Sequence, residues 1–524
     1  MTRMRTKIFY SLLLLMLLAL GRAQAAAPVP LWLQAGRPTS QAHELVALLV
    51  AADRQGLEPL DYDAPTLQRR LAQAQQGPAL PDAAQAQLEA ALTAASQRYL
   101  ADLRSGRVDP RQIRARFDVP RRAGLDDAAL REALAQHRLS EFVQQAAAAL
   151  PMYAGLQQAL ARYRELAVHP AWQQALPPLP GRKLGAGQAY DGLPRLAQRL
   201  QALGDLAPAS TVPTQFEGVL IGALKLFQAR HGLDPDGVLG LETLKQLNVT
   251  PAARVRQIEL AMERLRWTPF LQRERMIVVN LPEFVLRAYE VRDGRIDVKL
   301  SMRVIVGKAL DKHTPLFDED MRSIEFSPYW NVPFSIASKE LVPHMQRDPG
   351  YLERDGFEFI SPNGQVVRTF APEHLQSVLN EGWRIRQRPG PWNAMGDIKF
   401  VFPNNDNIYL HHTSQPHLFE RARRDFSHGC IRVEDPVALA QFVLHDEPAW
   451  TEERIRAAME KGESSTLRLA QPLPVLISYS TVVVKLGKVF FYPDLYGHDR
   501  LLDQALRQHS EALSRSRVPG ADGR

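Results

Sequence analysis

The spacing of apolar residues changes once along this chain, near residue 275, and the change separates two kinds of secondary structure. Residues from about 28 to 205 place apolar side chains three and four positions apart, as in Ala84–Leu103, which is typical of amphipathic helices. From about residue 275, short apolar runs such as Met276–Asn280 lie between turn signals such as Asp293-Gly294, which is typical of strands. We therefore predict an α+β protein that is helical at its N-terminal side and mostly β at its C-terminal side.

The length of 524 residues exceeds what one hydrophobic core can organise, and a usual domain size of about 100–200 residues suggests roughly three units. The predicted division is a helical scaffold domain over 26–205, a small helical module over 212–250, a mostly β domain over 275–450 with a partly helical insertion at about 334–385, and a C-terminal extension over 451–510 that packs on the β domain. We predict strands at Phe284–Tyr289, Ile296–Val306, Ser323–Phe326, Lys399–Phe402, Ile408–His411 and Val475–Phe490, and helices at Ser338–Gln346, Pro372–Asn380 and Pro436–Leu444.

The N-terminus has the three parts of a secretory signal peptide. Basic residues at positions 3, 5 and 7 precede Ile8–Leu20, an apolar stretch that is too short to span a bilayer comfortably. Ala23-Gln24-Ala25 then matches the small-x-small pattern of a cleavage site. We predict a signal peptide over 1–25 and a mature protein that is soluble in the periplasm or cell envelope, with an uncleaved N-terminal anchor as the alternative.

The net charge of +7 is spread along the chain, with no long block of Lys and Arg. Such blocks mark the arms that bind nucleic acid, so we expect no nucleic-acid partner. A mild positive excess is compatible with a polyanionic envelope, and it is equally common as a simple solubility feature.

Cys430 is the only cysteine in the chain. Exported proteins usually carry cysteines in pairs, because their compartment oxidises thiols to disulfides. A lone cysteine can be a buried structural thiol or a reactive one, and the surrounding sequence decides between these alternatives.

A cysteine nucleophile needs a nearby base, because the unperturbed thiol is mostly protonated near neutral pH. His411 ends a predicted strand 19 positions before Cys430, and a loop of this length can bring the two residues together.

Alternation along this strand distinguishes His411 from its neighbour His412. Tyr409 and His411 should share one face, whereas Leu410 and His412 should share the other, buried face. We therefore prefer His411 as the base, and we expect His428 to orient the loop by hydrogen bonds.

The residues next to Cys430 fit acyl transfer. Gly429 lets the backbone turn sharply beside the sulfur, and the N–H groups of Gly429 and Cys430 could form an oxyanion hole. Arg432 should share the Cys430 face, where its guanidinium could bind a substrate carboxylate. A zinc site made from the nearby histidines and Cys430 is the alternative, but their spacing fits no ordinary zinc pattern, so we expect no metal or cofactor.

The segment FQARHGLDPDGVLGLETLKQLN indicates two helices joined by a turn at Asp236-Gly237. Val219, Ala223, Leu226 and Phe227 should lie on one face of the first helix. The segment resembles the small three-helix peptidoglycan-binding module of bacterial wall enzymes; a structural helical spacer is the alternative.

The pair of motifs Y-L-H-x-T and S-H-G-C-x-R resembles the active-site motif of bacterial L,D-transpeptidases. The run from Arg388 to Phe400 is close to the family's PGPxNALGxxKF, with Met395 where Leu is usual and Trp392 as a second departure. The resemblance implies a scaffold, a wall-binding module and a catalytic domain with a capping insertion. It also implies Cys430 as the acylated nucleophile and His411 as the proton donor and acceptor. The residues that would support them are Tyr409, Ser427, His428, Gly429 and Arg432.

The resemblance further implies the reaction. A stem tetrapeptide would acylate Cys430 with loss of D-alanine, and a diaminopimelate amine of a second stem would accept the acyl group, which forms a 3→3 cross-link in cell-wall biogenesis and maintenance of cell shape. Carbapenem β-lactams would inhibit it. Alternatives are an L,D-carboxypeptidase, exchange with free D-amino acids, attachment of an envelope protein to the wall, or a non-catalytic peptidoglycan-binding protein.

Overall fold

The structure is a computed structural model that describes residues 30–117, 127–147, 150–208, 212–268 and 273–517. The predicted signal peptide over 1–25 lies outside these residues. Within the described ranges, no helix is both long enough and apolar enough to cross a membrane. The chain forms two compact units, of which the first comprises the described parts of Met1–Val50, Tyr62–Tyr99 and Gly124–Gln144 and the second comprises Ala51–Asp61, Leu100–Ala123 and Gln145–Arg524.

Helices dominate the first unit and the N-terminal part of the second. They are α1 (Ser40–Val50), α2 (Ala64–Gln76), α3 (Asp82–Ser105), α4 (Asp127–Ala135), α5 (Leu139–Ala146), α6 (Pro151–Ala167), α7 (Leu193–Leu203), α8 (Val219–Arg230), α9 (Leu241–Asn248) and α10 (Pro251–Arg266). Two-residue strands lie between them at β1 (Leu33–Gln34), β2 (Arg37–Pro38), β3 (Ala115–Arg116), β4 (Lys183–Leu184) and β5 (Leu239–Gly240).

The predicted scaffold range 26–205 does not form one unit, because parts of it fold with the second unit through a buried ionic network. Glu263 of α10 is fully buried and accepts a hydrogen bond from Arg266 Nη1 at 2.7 Å. It also forms an ion pair with Arg107, which in turn contacts Asp61. Charges this deeply buried are stable only when they are paired, so these contacts bind chain segments that the sequence pattern had assigned to the scaffold.

The small module contains three helices, and its core extends further toward the N-terminus than the predicted range 212–250. Its core joins Leu196 and Leu200 of α7 to Phe227 of α8 and Leu247 of α9. The third helix therefore lies before residue 212. The buried face of α8 also differs from the prediction, because Val219 is 52% exposed and Leu226 is 49% exposed, while Ala223 and Phe227 are buried.

The strands of the C-terminal part are β6 (Arg275–Asn280), β7 (Val285–Arg292), β8 (Arg295–Gly307), β9 (Leu316–Phe326), β10 (Trp330–Asn331), β11 (Phe357–Ile360), β12 (Val366–Val367), β13 (Arg384–Gln387), β14 (Ile398–Val401), β15 (Leu410–His411), β16 (Asp425–Ser427), β17 (Ile431–Val433), β18 (Ser465–Ser478), β19 (Val482–Lys485) and β20 (Lys488–Phe491). The accompanying helices are α11 (Phe334–Ile336), α12 (Val342–Arg347), α13 (Tyr351–Arg354), α14 (Pro372–Leu379), α15 (Pro436–Val443), α16 (Glu452–Glu460) and α17 (His498–Arg517).

The main sheet closes on itself. Its strands follow the order β14-β15-β17-β8-β7-β6-β18-β9, and β9 pairs back with β14, while β3 and β16 attach to β9 and β8. Phe400, Leu410 and Ile431 belong to the buried core of this sheet. Because side chains alternate along a strand, their neighbours Lys399, His411 and Arg432 face the other side.

The closed sheet continues past residue 450, where we predicted the end of the β domain. Strand β18 pairs in parallel with β6 and antiparallel with β9, so it is an integral member of the closed sheet and not part of an extension packed on it. The domain therefore needs residues beyond 450 to close.

The insertion contains helices near the predicted positions, and it also contains a sheet that the sequence did not predict. Strands β10, β13, β11 and β12 form this sheet in that order. Its strands pack with the helices into a separate hydrophobic core that includes Ile336, Met345, Phe359, Val378 and Ile385. The insertion is thus a small folded cap.

Candidate active site

A row of charged and polar side chains crosses four neighbouring strands of the closed sheet. Glu325 of β9 pairs with Lys399 of β14, Lys399 pairs with His411 of β15, and His411 pairs with Arg432 of β17. Directly paired residues point to the same face of a sheet, so these side chains lie together on the face opposite the core.

The structure brings the strands of His411 and Cys430 side by side. Leu410 pairs in parallel with Ile431, and the Ile431 N–H donates to the Tyr409 carbonyl at 3.0 Å. His411 and Cys430 therefore flank the Leu410–Ile431 pair on neighbouring strands. The half-buried Cys430 thiol donates to the Asn407 carbonyl at 3.6 Å.

The His411 ring is only 4% exposed, and its tautomer follows from its contacts. Nδ1 lies 2.6 Å from the His412 carbonyl oxygen, and a carbonyl can only accept, so Nδ1 carries a hydrogen and Nε2 is the nitrogen left to accept a proton. Burial, and secondarily the positive charge of Arg432, lower the pKa of His411 to about 3. The imidazole is therefore neutral at physiological pH, which is the form a general base requires.

The Cys430 thiol is also neutral at rest. Burial raises its pKa, while the Tyr409 backbone and the charges of Lys399 and Arg432 lower it to a smaller extent. Because both groups are neutral, they do not form a thiolate–imidazolium ion pair at rest.

Lys399 is a site residue that our sequence analysis did not single out. Its Nζ lies 3.1 Å from Glu325 Oε2 and 4.0 Å from the centre of the Tyr409 ring. The Tyr409 hydroxyl in turn donates to Asn407 Oδ1 at 3.3 Å. Lys399 thus places a positive charge beside Tyr409 and Cys430. Its position could have been predicted from the sequence, because alternation along the Lys399–Phe402 strand puts Lys399 on the face opposite Phe400.

The turn that presents Cys430 depends on a glycine and a threonine. Gly429 has a φ of +122°, a backbone conformation that residues with a side chain rarely adopt. A Cβ at this position would lie 3.2 Å from Ile408 Cδ1. The buried Thr314 hydroxyl donates to the Gly429 carbonyl at 2.7 Å and accepts from the Gly307 N–H at 2.9 Å. Thr314 therefore connects this turn to the end of β8, a role that our sequence analysis did not assign.

One of the two N–H groups expected to form an oxyanion hole is already hydrogen-bonded within the turn. The Gly429 N–H donates to the Ser427 hydroxyl oxygen at 3.1 Å, and that hydroxyl donates to the Cys430 carbonyl. Ser427 thus closes the turn on itself, and the expectation that the Gly429 N–H faces substrate does not hold in this conformation.

The other two histidines have different neighbours. His412 Nδ1 lies 2.6 Å from Asp397 Oδ1, away from the row that contains His411. His428 Nε2 lies 2.8 Å from Oε1 of Glu340, which belongs to the π-helical segment Ala337–Leu341 of the cap. His428 therefore connects the Cys430 turn to the cap. Within the described ranges, no group of three or more His, Cys, Asp and Glu side chains is arranged to hold a metal ion.

Arg432 is largely buried at one end of the row. Its Nη1 donates to Gln415 Oε1 at 3.0 Å, whereas its buried Nε has no hydrogen-bond partner among the described residues. A buried guanidinium N–H without an acceptor is costly, so this atom is poised to donate to a ligand.

Three family models match the chain. A model described as the L,D-transpeptidase catalytic domain matches residues 274–462. A model described as a scaffold domain matches residues 24–160, and one described as a putative peptidoglycan-binding domain matches residues 191–247. The last range begins before α7, in agreement with the module core described above.

A curated protein of Haemophilus influenzae, described as a "Putative L,D-transpeptidase", is 33% identical over 266 residues, which are 51% of this chain and 51% of that protein. The chain thus spans about half the length of this relative. Two solved structures also match. One is a fused Zn-dependent amidase, peptidase and peptidoglycan-binding protein from Clostridium acetobutylicum, which is 12% identical over 56% of this chain and 99% of that chain, with a TM-score of 0.18. The other is Bd1075 of Bdellovibrio bacteriovorus, which is 15% identical over 45% of this chain and 55% of that chain, with a TM-score of 0.17. Scores this low carry no argument about fold.

Proposed function

Because the chain carries an L,D-transpeptidase catalytic domain together with a scaffold domain and a peptidoglycan-binding domain, we propose that it forms 3→3 cross-links in peptidoglycan through a thioester on Cys430. The observation that carries the proposal is the parallel pairing of Leu410 with Ile431, which places His411 and Cys430, the residues next to this pair, on adjacent segments of the chain. The neutral, Nδ1-protonated His411 ring is in the correct form to accept the thiol proton.

The first half-reaction transfers an acyl group to the enzyme. Cys430 Sγ attacks the carbonyl carbon at the L-centre of diaminopimelate in a tetrapeptide stem, and His411 Nε2 takes the thiol proton. The C–N bond to D-alanine then breaks, and His411 returns the proton to the departing amine. The products are a thioester on Cys430 and free D-alanine.

Positive charge and N–H donors would stabilise the oxyanion of this step. The Cys430 N–H is the nearest backbone candidate, since the Gly429 N–H is held by Ser427. Lys399 adds positive charge near the sulfur, and Arg432 Nε is aimed to donate to a substrate carboxylate. Preorganised donors of this kind contribute about 10²–10³ each in rate.

The second half-reaction releases the product. The side-chain amine of a second diaminopimelate attacks the thioester carbonyl and passes a proton to His411, the C–S bond breaks, and the thiolate regains a proton from His411. The cap could admit the acceptor in preference to water, because Glu340 of the cap contacts His428 beside Cys430.

The setting that we propose for this reaction is the periplasm or cell envelope. The basic and apolar N-terminal residues have the pattern of a signal peptide, and the module over 191–247 would hold the enzyme on its polymeric substrate. Carbapenems would acylate the same sulfur, since they present a strained carbonyl to it.

Product analysis tests the proposal. Purified protein incubated with isolated wall material should yield muropeptide dimers joined between two diaminopimelate residues, detected by mass spectrometry. A Cys430→Ala variant with unchanged thermal stability should yield none. Tripeptide monomers without dimers would contradict transfer and support L,D-carboxypeptidase activity, and unchanged products from Cys430→Ala would contradict the assignment of the nucleophile.

A further inference from the structure

Trp392 is a large, exposed aromatic side chain on the loop that leads into β14, the strand that carries Lys399. It is 49% exposed, and it occupies the variable position of the run that otherwise resembles PGPxNALGxxKF. Burying an indole from water is strongly favourable, so an exposed tryptophan that is held in place suggests a contact made with a ligand.

The ring is held on the backbone of two glycines. A Cβ on Gly390 would lie 2.4 Å from Trp392 Cζ3, and a Cβ on Gly356 would lie 3.4 Å from Cε3. Both glycines have positive φ values, 152° and 72°. Any side chain at position 390 would displace the indole, so the position of the Trp392 ring requires glycine there.

The loop that carries Trp392 is also fixed on its inner side. Gln387 Nε2 donates to the Trp392 carbonyl at 3.1 Å, and Gln387 Oε1 accepts from the Ala394 N–H at 2.9 Å. The fully buried Asn393 donates to the Pro328 carbonyl at 2.9 Å. An aromatic platform held this firmly loses little conformational entropy when a ligand covers it.

The same loop reaches the catalytic histidine. The Met395 backbone lies close enough to the His411 ring to offset part of the lowering of its pKa, and Met395 follows Trp392 by three residues. Three residues of chain span at most about 11 Å. Trp392 therefore lies within reach of a substrate whose peptide is bound at Cys430.

A cationic donor lies beside the platform. Arg388 Nε donates to the Gly356 carbonyl at 3.3 Å, which places its guanidinium next to the glycine that supports the indole. A sugar ring has an apolar C–H face and hydroxyl groups at its edge, which match an aromatic plane with an N–H donor at its border.

We propose that Trp392 is a sugar-binding platform that stacks against the glycan to which the donor stem is attached; this inference rests on the proposed function. Trp392 would thereby favour stems that are still joined to glycan over free peptides. Arg388 would donate to a hydroxyl or acyl oxygen of the same sugar.

The test compares two donors that differ only in the sugar: the free tetrapeptide stem and the same stem joined to its disaccharide, with D-alanine release as the readout. Trp392→Ala should lower kcat/KM about tenfold for the disaccharide donor, mainly through KM, and leave the free-peptide value within about twofold. Trp392→Phe should recover most of the loss. Leu486→Ala, which removes an exposed side chain from the β19–β20 turn, serves as the matched control and should change neither value.

An equal loss with both donors would overturn the proposal, because it would mean that Trp392 only supports the loop. No loss with either donor would overturn it as well. Failure of the proposed function is distinguishable: without acylation, wild-type protein would release D-alanine from neither donor, and with hydrolysis in place of transfer it would release D-alanine but form no dimers when an acceptor stem is added.

Discussion

Burial leaves both His411 and Cys430, which we propose as the base and the nucleophile, without charge at rest. Burial lowers the pKa of His411 to about 3 and raises the pKa of the Cys430 thiol, so the two shifts act against a thiolate–imidazolium pair. Such a thiol resists adventitious oxidation and becomes nucleophilic when a carbonyl substrate lies against it.

Lys399 should control how readily the free thiol ionises. Its charge lowers the pKa of Cys430, so Lys399→Met should raise that pKa. Since alkylation requires the thiolate, its rate rises with pH, and the midpoint of the rate–pH profile should move to higher pH in the variant. Iodoacetamide labelling followed by mass spectrometry measures this profile, and the labelling rate at pH 7 should fall several-fold.

Two controls accompany the Lys399 variant. Lys399→Arg keeps the charge and should retain the wild-type midpoint, while Lys245→Met removes an exposed lysine of α9 and should also leave it unchanged. A midpoint that stays in place or moves to lower pH in Lys399→Met would refute the electrostatic role.

The residue types of the site could be predicted from sequence, but the contacts that position them could not. Cys430 and His411 follow from a lone cysteine and a histidine at a strand end. Thr314 acts through a hydrogen bond to Gly429, 115 positions away, and Glu340 contacts His428 across 88 positions. Alternation along a strand gives the face of a side chain and says nothing about partners brought in by the fold.

At the scale of elements, the turn from Ser427 to Cys430 is held by side chains rather than by its own backbone. Thr314 joins the Gly429 carbonyl to the Gly307 N–H, and the Tyr496 hydroxyl donates to the Gly307 carbonyl at 2.6 Å. The turn, the end of β8 and the loop before α17 thus share one hydrogen-bonded cluster. Movement of any of these elements would shift the sulfur.

Thr314→Val should show that this cluster positions the nucleophile. The isosteric change removes the hydroxyl and leaves the buried Gly307 N–H without its acceptor, which should cost about 1–3 kcal/mol of stability. The variant also loses the hydrogen bond to the Gly429 carbonyl, so the turn can shift and displace the Cys430 sulfur. Small displacements of reacting groups are costly, and we therefore expect kcat to fall by about tenfold or more. Thermal denaturation and D-alanine release measure the two effects.

Thr314→Ser is the matched control, because it keeps the hydroxyl and should retain most of the activity and stability. Wild-type kcat in a less stable Thr314→Val variant would contradict the positioning role and leave Thr314 with a structural one.

Strand β18 illustrates why some elements escaped prediction. The predicted strand began at Val475, whereas β18 begins at Ser465 and pairs along β9 with a shift in register between Arg468 and Leu473. Prolines at 472 and 474 disfavour a regular strand, and its first half is largely exposed, so the apolar alternation is absent there. The first half of β18 is therefore stabilised by its pairing with β9 across the bulge, which the local sequence pattern does not reveal.

At the scale of the whole molecule, helical periodicity identified the helices but not the cores that they join. Helix α7 was predicted with the scaffold but packs in the core of the peptidoglycan-binding module. Residues near 107 were likewise predicted with the scaffold but are bound to α10 through Glu263. An amphipathic face shows that a helix is buried on one side, and long-range contacts decide which neighbours cover that side.

The three matched domains suggest a division of labour within one chain. The module would hold the enzyme on the wall, the closed sheet would carry the chemistry, and the cap would control entry of the acceptor through Glu340 and His428. All of these roles depend on a single covalent intermediate at Cys430.

Intact-protein mass spectrometry after rapid acid quenching tests that intermediate most directly. Wild-type protein mixed with a tetrapeptide stem and no acceptor should gain the mass of the donor less that of D-alanine, with the added mass on the peptide that contains Cys430. Cys430→Ala should gain nothing. Release of D-alanine by wild-type protein with no added mass on that peptide, or the same added mass on Cys430→Ala, would contradict the account.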